Sequence, residues 1–559
     1  MFRVLVGYGI VGFAVLQIIE PIMHALHLPD VTLTYVVLAL AVGFPISVVL
    51  AWAFDINEGK IERTAPAASH ALKGIRLPLV LIGIGIFAAA PGVIWYLVLP
   101  GHLKRTTELV ASTAPTPSIA VLPFADMSPG KDQEYFSDGI AEEILNGLAQ
   151  NESLHVVGRT SSFSFRNAPQ DLREVGHKLG VTHVLEGSVR REAGMVRVTA
   201  QLIDVATGYH VWSQTFSREV NSVLALEDEI ANHVVGALKG KLLAGVRKER
   251  PSVDPRAYEL YLRAHSLEIQ FSADGVRQSI PLFREAVSLD PGLGQAWAWL
   301  AIALWWNVLP NSPAATDAVA AADKAVEVAP DLAAAHWSRA LVRWYLQWDW
   351  SGAIDDENRA MAISPGDADA LDVRCILERV LGHREASVAA CREAIRLDPL
   401  SVAFWNQITN TYLASGEIGL ARTANARAFD VSKDSRSAHE NRCAIAVFAN
   451  ESGARELCSS LRDENRRLFW IALGAFEHDP ARLDRSLAEL IARMGERDPE
   501  SIAEIHAWRG DKDKAFEWLD RAVARRAGLG EVKVDPLLKK LHGDPRWATL
   551  LKKMNLPLD

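Results

Sequence analysis

Apolar and polar residues follow three different rhythms along the chain, and each marks a region. Up to residue 100 three long apolar runs follow one another. Residues 33–54 (LTYVVLALAVGFPISVVLAWAF) and 77–99 (LPLVLIGIGIFAAAPGVIWYLVL) carry no charge, and 4–27 is broken only by Glu20, His24 and His27. About 20 apolar residues let a helix cross a bilayer. The pattern therefore predicts a transmembrane anchor over 1–101, with spans at 4–27, 33–54 and 77–99 and a polar linker over 102–117. Gly7, Gly9 and Gly12 have the spacing of a dinucleotide-binding turn, with Asp30 downstream. That turn needs alternating strands and amphipathic helices after it, and apolar runs follow instead. Gly83, Gly85 and Ala88 repeat the spacing inside the third run, where small residues let membrane helices approach closely.

From 118 to 250 the rhythm shortens. SIAVLPF (118–124) reads as a strand, residues 132–150 as a helix with Phe136, Ile140, Ile144, Leu145 and Leu148 on one face, and 154–157 as a short strand. A second helix follows at 170–179, then an alternating stretch over 182–216 with turns at Glu192-Ala193-Gly194 and Ala206-Thr207-Gly208, then a helix over 222–240. This is a small α/β domain with a mixed or antiparallel sheet buried on one face. Residues 118–240, and "SIAVLPFADMSPGKDQEYFSDGIAEEILNGLAQ" in particular, resemble the TolB-like amino-terminal (FlgO-like) domain. The stretch "GFPISVVLAWAFDINEGKI" resembles the membrane anchor that often precedes that domain in bacterial proteins. Some members carry a cyclase or winged-helix domain ahead of the anchor, and none is expected here before Val4. The resemblance implies an envelope-associated interaction module without established chemistry.

Beyond 255 the period is that of helices, and the pattern itself repeats. REAVSLDP, DKAVEVAP, NRAMAISP and CREAIRLDP end at Pro291, Pro330, Pro365 and Pro399, with Ala286, Ala325, Ala360 and Ala394 five residues before each, and Ala428 continuing the series. This is the tetratricopeptide period, so residues 255–559 are expected to form an α-solenoid of helix pairs with a concave groove. The groove candidates are Trp305, Trp306, Trp337, Leu341, Trp344, Tyr345, Asn406 and Asn410, while Trp297 and Trp405 fit the large core slot of the repeat.

Composition narrows the function. The 559 residues carry a net charge of -9 and no long basic run, which argues against nucleic acid as partner. Lys60, Arg63, Lys73 and Arg76 place loop 55–76 in the cytoplasm. The domains after residue 100 then lie in the periplasm, on a multi-pass inner (plasma) membrane protein. Four cysteines fall in pairs about helix turns, Cys375 with Cys391 and Cys443 with Cys458. Each pair is either a disulfide or two free thiols in small slots. Acids at 126–143 fit the first turn of a helix better than a metal or acid–base site, and Arg159, Ser161 and Ser162 form a weak candidate anion loop. Glu20 and His24 are an intramembrane polar pair, functional or packing. No metal-ligand spacing or catalytic signature stands out, and no cofactor is expected. The chain reads as a non-catalytic membrane-anchored scaffold binding proteins or peptides. Its alternative is a transmembrane sensor relaying an envelope ligand or stress state to a cytoplasmic partner.

Overall fold

The computed structural model describes residues 54–57, 60–63, 117–166, 171–238, 252–269, 272–306, 313–474, 479–526 and 529–557. They fall in two compact units, Met1–Ala114 and Pro115–Asp559. In the first unit β1 (Phe54–Asn57) pairs antiparallel with β2 (Lys60–Arg63), Phe54 opposite Arg63 and Asn57 opposite Lys60. The sequences FDIN and KIER mix polar and apolar residues, which suits a hairpin rather than a span.

This corrects the expected fold class. Among the described residues no helix is long and apolar enough to cross a membrane, so a three-helix anchor is not supported. Phe54, expected to end the second span, opens a strand instead. The remainder of spans 4–27, 33–54 and 77–99, with Glu20 and His24, lies outside the described residues.

The second unit begins with the α/β domain. Strand β3 (Ser118–Val121) is buried along its length and pairs parallel with β5 (His155–Val156) and β6 (His183–Glu192). The short β4 (Ala125–Asp126) also pairs with β6, and β7 (Met195–Asp204) and β8 (His210–Glu219) complete an antiparallel meander. Ala193 and Gly194 both take positive φ, 49° and 81°, so the β6–β7 turn is a two-residue hairpin of the kind that matches strand twist. Helix α1 (Glu134–Ala149) lays its five apolar stripe residues on one face of the sheet. Between β5 and the second expected helix lies a short helix, α2 (Arg159–Phe163), where the sequence suggests a loop. Helix α3 (Leu172–Leu179) covers the opposite face through Val175 and Leu179, and α4 (Val223–Leu238) packs beside α1.

The solenoid follows as helix pairs: α5 (Pro255–Glu268) with α6 (Ala273–Leu289), α7 (Gly294–Trp306) with α8 (Pro313–Val328), and α9 (Ala333–Val342) with α10 (Trp350–Ile363). Then come α11 (Ala368–Leu381) with α12 (Arg384–Leu397), α13 (Val402–Ala414) with α14 (Ile418–Val431), and α15 (Arg436–Phe448) with α16 (Ala454–Ser459). The last pairs are α17 (Glu464–Leu473) with α18 (Pro480–Met494) and α19 (Pro499–Arg509) with α20 (Lys512–Arg525), closed by α21 (Pro545–Lys553). Ala286, Ala325, Ala360, Ala394 and Ala428 are all fully buried, as close helix approach requires. Pro291, Pro330, Pro365 and Pro399 each stand two residues past the end of a second helix, because proline cannot continue it. First helices pack on the next first helix more closely than second helices do on theirs, which curves the array with first helices inside.

The α/β domain and the solenoid share a core. One apolar cluster runs from Ile119 and Phe136 through Tyr258 and Phe283 to Leu304. Gly139 of α1 faces Leu262 of α5 so closely that a Cβ there would sit 2.4 Å from Leu262 Cδ2.

Candidate functional site

Two surfaces decide what the solenoid can bind: the seam with the α/β domain and the inner face of the first helices. At the seam, the turn after α12 reaches into the α/β domain. Asp398 accepts hydrogen bonds from Thr160 N at 2.9 Å, Ser161 N at 2.7 Å and Ser161 Oγ. Ser161 Oγ in turn accepts from Leu400 N at 2.8 Å, and Gly158 N donates to Leu397 O at 2.7 Å. The first turn of a helix has free N–H donors, and a carboxylate satisfies them. Asp398 thus caps α2 from another domain. Burial still holds its carboxyl above the usual range, despite these donors. Of the expected anion residues Arg159, Ser161 and Ser162, Ser161 holds the carboxylate of Asp398, so the anion at this place belongs to the chain itself. Gly158 is needed for the approach, since a Cβ there would meet Asp398 Cβ at 2.5 Å. A second tie joins Gly366 N to Ala149 O at 3.2 Å.

Arg159 turns away from Asp398 and pairs with Glu142 of α1, Nε to Oε2 at 2.7 Å. Glu142 Oε1 meets His265 Nε2 of α5 at 2.9 Å. Burial opposes ionisation of Glu142, but Arg159 and His265 outweigh it and hold its pKa down to about 2. Its neighbour Glu143 accepts from Tyr261 Oη at 3.0 Å.

The inner face is not an open groove along its length. Residues 529–557 fold back across the middle pairs. The first helix α9 ends in a π-turn over Arg343–Gln347, with Trp348 at φ 55°. Such turns leave carbonyls without helical partners, and Arg526 Nη1 donates to Leu346 O at 3.4 Å and Gln347 O at 3.3 Å. Trp344 Nε1 donates to Gly530 O at 3.3 Å, and Trp350 Nε1 to Met554 O at 2.7 Å. Buried Arg379 reaches Glu531 at 2.5 Å and Gln407 Oε1 at 2.9 Å, and Lys533 Nζ donates to Leu381 O at 3.1 Å. Leu529 N donates to Glu500 at 2.6 Å.

This tail relocates the expected groove residues. Trp344 is buried, and Tyr345 half-buried, against Gly530, so neither lines an open wall. Trp337, Leu341 and Asn406 are also buried, the last with Asn441 as partner at 3.4 Å. Trp305 and Asn410 are half-buried. Trp306 alone of the eight is open, 56% exposed at the end of α7. Trp297 and Trp405, expected as core, are half-buried and donate Nε1 to the turn carbonyls of Pro291 (3.0 Å) and Pro399 (2.9 Å). His336 and His439 stand at the same repeat position and reach Pro330 O at 2.8 Å and Lys433 O at 3.0 Å. A ring N–H six residues past the turn is thus a capping device, visible in the sequence only as a preference for Trp or His. The cysteines are joined as Cys375–Cys391 and Cys443–Cys458, each with Cα atoms 5.0 Å apart.

No protein-family model matches the chain. It is 36% identical over 254 residues to "Putative adenylate cyclase 3" of Rhizobium meliloti (strain 1021), a match covering 44% of this chain and 42% of that one. The chain thus spans less than half the length of that curated relative. Among solved structures, a thermophilic TPR protein of Thermus thermophilus, TTC0263, aligns at TM-score 0.30 and 16% identity, over 35% of this chain and 99% of its own. YrrB, a TPR protein with an unusual peptide-binding site, aligns at 0.23 and 14%, over 32% and 90%. TolB from Acinetobacter baumannii aligns at 0.18 and 16%, over 23% and 30%. These likenesses are too distant to support a conclusion. The tetratricopeptide character of the array rests on its own period and helix pairing.

Proposed function

We propose that the chain is a non-catalytic recognition scaffold that holds a polypeptide segment on its inner face, where the α/β domain meets the first repeats. The observation that carries this reading is the rigid seam. Asp398, Gly366 and the shared core fix the α/β domain against the repeats, and the tail is docked separately on Trp344 and Arg379. Preorganised walls lower the cost of binding a flexible segment. The α/β domain is read as the TolB-like (FlgO-like) type that residues 118–240 resemble. The two cysteine pairs favour work in an oxidising compartment such as the periplasm.

The test is selection of displayed random peptides on the intact protein. Peptides that bind wild type and lose at least about tenfold in affinity on Trp306→Ala, the open residue of the expected groove, support the reading. Failure to enrich any peptide removes it.

A second reading starts from the 254-residue match to a cyclase. Here the same scaffold regulates nucleotide cyclisation. Formation of cyclic AMP from ATP and a divalent metal by the intact chain favours this reading, and its absence at high protein concentration counts against a cyclase activity of the chain itself.

A further inference from the structure

One second helix of the solenoid is cut short, and a recess lies beside it. The other second helices run 14 to 17 residues, whereas α16 stops after 6. A helix of the usual length would run on for about two more turns. Without those turns, α14, α15 and the stub α16 line a recess of about 560 Å³, a size that takes a small molecule. The Cys443–Cys458 disulfide sits next to two lining residues, Arg442 and Leu457, and so ties the α15 wall to the α16 wall.

Three features of the lining point to one kind of guest. First, part of it is apolar: Ile445 is buried, and Phe429 and Leu457 are half-buried. Phe429 is held by the His439 ring, edge on at 4.9 Å, and by the Arg442 guanidinium 5.8 Å over its face. Second, the charges do not balance. Of the two lining acids, Glu451 is paired with Arg422 at 2.5 Å and Asp430 with Arg427 at 3.4 Å. Lys433 and Arg442 also line the recess, and among the described residues neither has an acidic partner. The three lining cations exceed the two acids by one, which suits a single negative charge better than a polyanion. Third, Asn425 lines the recess at only 3% exposure. Its Nδ2 donates to Ala438 O at 3.1 Å, while its Oδ1 is buried without a partner. Buried acceptors are normally satisfied, so the recess calls for a donor as well as an anion.

We propose that this recess binds a small monocarboxylic acid with an apolar body and one hydroxyl or amide donor. The carboxylate lies between Lys433 and Arg442, the apolar body against Phe429, Ile445 and Leu457, and the donor meets Asn425 Oδ1. The inference stands apart from the polypeptide reading above.

The test titrates the full chain with para-hydroxyphenylacetate and para-hydroxyphenylpropanoate, read by calorimetry and saturation-transfer NMR. At least one acid should saturate, bind about tenfold or more tighter than its uncharged carboxamide, and weaken with salt. The same acid without its hydroxyl should bind about fivefold less well. Arg442→Gln and Lys433→Gln, at exposed positions, should each weaken binding about tenfold with little change in melting temperature. Ala426→Trp, at an exposed lining position, should fill the recess and abolish binding. Lys178→Gln, an exposed cation on α3, should leave binding as it is. No saturable binding of either acid, equal binding of the carboxamide, or binding that survives Arg442→Gln and Ala426→Trp overturns the inference. Equal binding of the acid without its hydroxyl overturns the contact with Asn425. Adenosine monophosphate that binds tighter than both acids and responds to the same variants overturns the carboxylate assignment in favour of a phosphate.

Discussion

At the scale of single residues, Asp398 ties the solenoid to the α/β domain. It accepts from two backbone N–H groups and one hydroxyl across the seam. Asp398→Ala strands those donors in a buried place. We expect a loss of about 2–3 kcal/mol, read as a lower urea midpoint. Asp398→Asn, which keeps one acceptor oxygen, should lose about half of that. An unchanged midpoint for the alanine variant would mean that the seam is held by apolar packing alone. Nothing near Asp398 in the sequence announces this role, because "LDP" reads as a helix terminator and Ser161 lies 237 positions away. The fully buried alanines and the prolines, by contrast, are legible, since each acts within its own turn. The same holds for the α1 stripe. The short helix α2 is not, because its cap comes from a distant segment.

At the scale of elements, the tail after α20 decides which part of the inner face is available. Local pattern marks 534–556 as a cap, but a cap can cover the end of an array or lie along it. The sequence has no period that distinguishes these, and so it places Trp344 and Tyr345 in the open. The docking depends on Arg379, buried on α11, with Glu531 half exposed as its partner. Glu531→Ala leaves a buried guanidinium with Gln407 as remaining partner and should cost about 1–2 kcal/mol. Arg379→Met with Glu531→Leu should recover most of the loss. A double variant whose loss equals the sum of the single ones would show that the pair is not coupled.

At the scale of the whole molecule, acids on the inner face set the response to pH. Burial, with the Asp498, Asp535 and Glu531 carboxylates, pushes Glu500 up to about 8. Burial also raises Asp372 to about 7, and burial with Glu531 raises Asp535 to about 6. The folded protein therefore binds more protons than the unfolded chain between about pH 4 and pH 8, and stability rises as pH falls through that window. Two groups limit the rise. His155, kept neutral by burial and Arg396 down to about 4, opposes folding once free histidine protonates. Glu142, held at about 2, loses its contribution as pH falls below the unfolded value. Melting temperatures at constant ionic strength should therefore peak near about pH 5–6. Glu500→Gln should flatten the alkaline arm. A melting temperature that climbs steadily from about pH 5.5 to pH 8.5 would contradict the burial of these acids.

The tail has one more consequence. Trp344 meets Gly530 across 186 positions, and Trp350 meets Met554 across 204. Most solenoids are springs, whose pitch widens or tightens to suit a guest. This one is buckled shut by its own end, and the width of its mouth is set before any guest arrives. It should behave as a gauge that accepts what fits, not as a hand that closes.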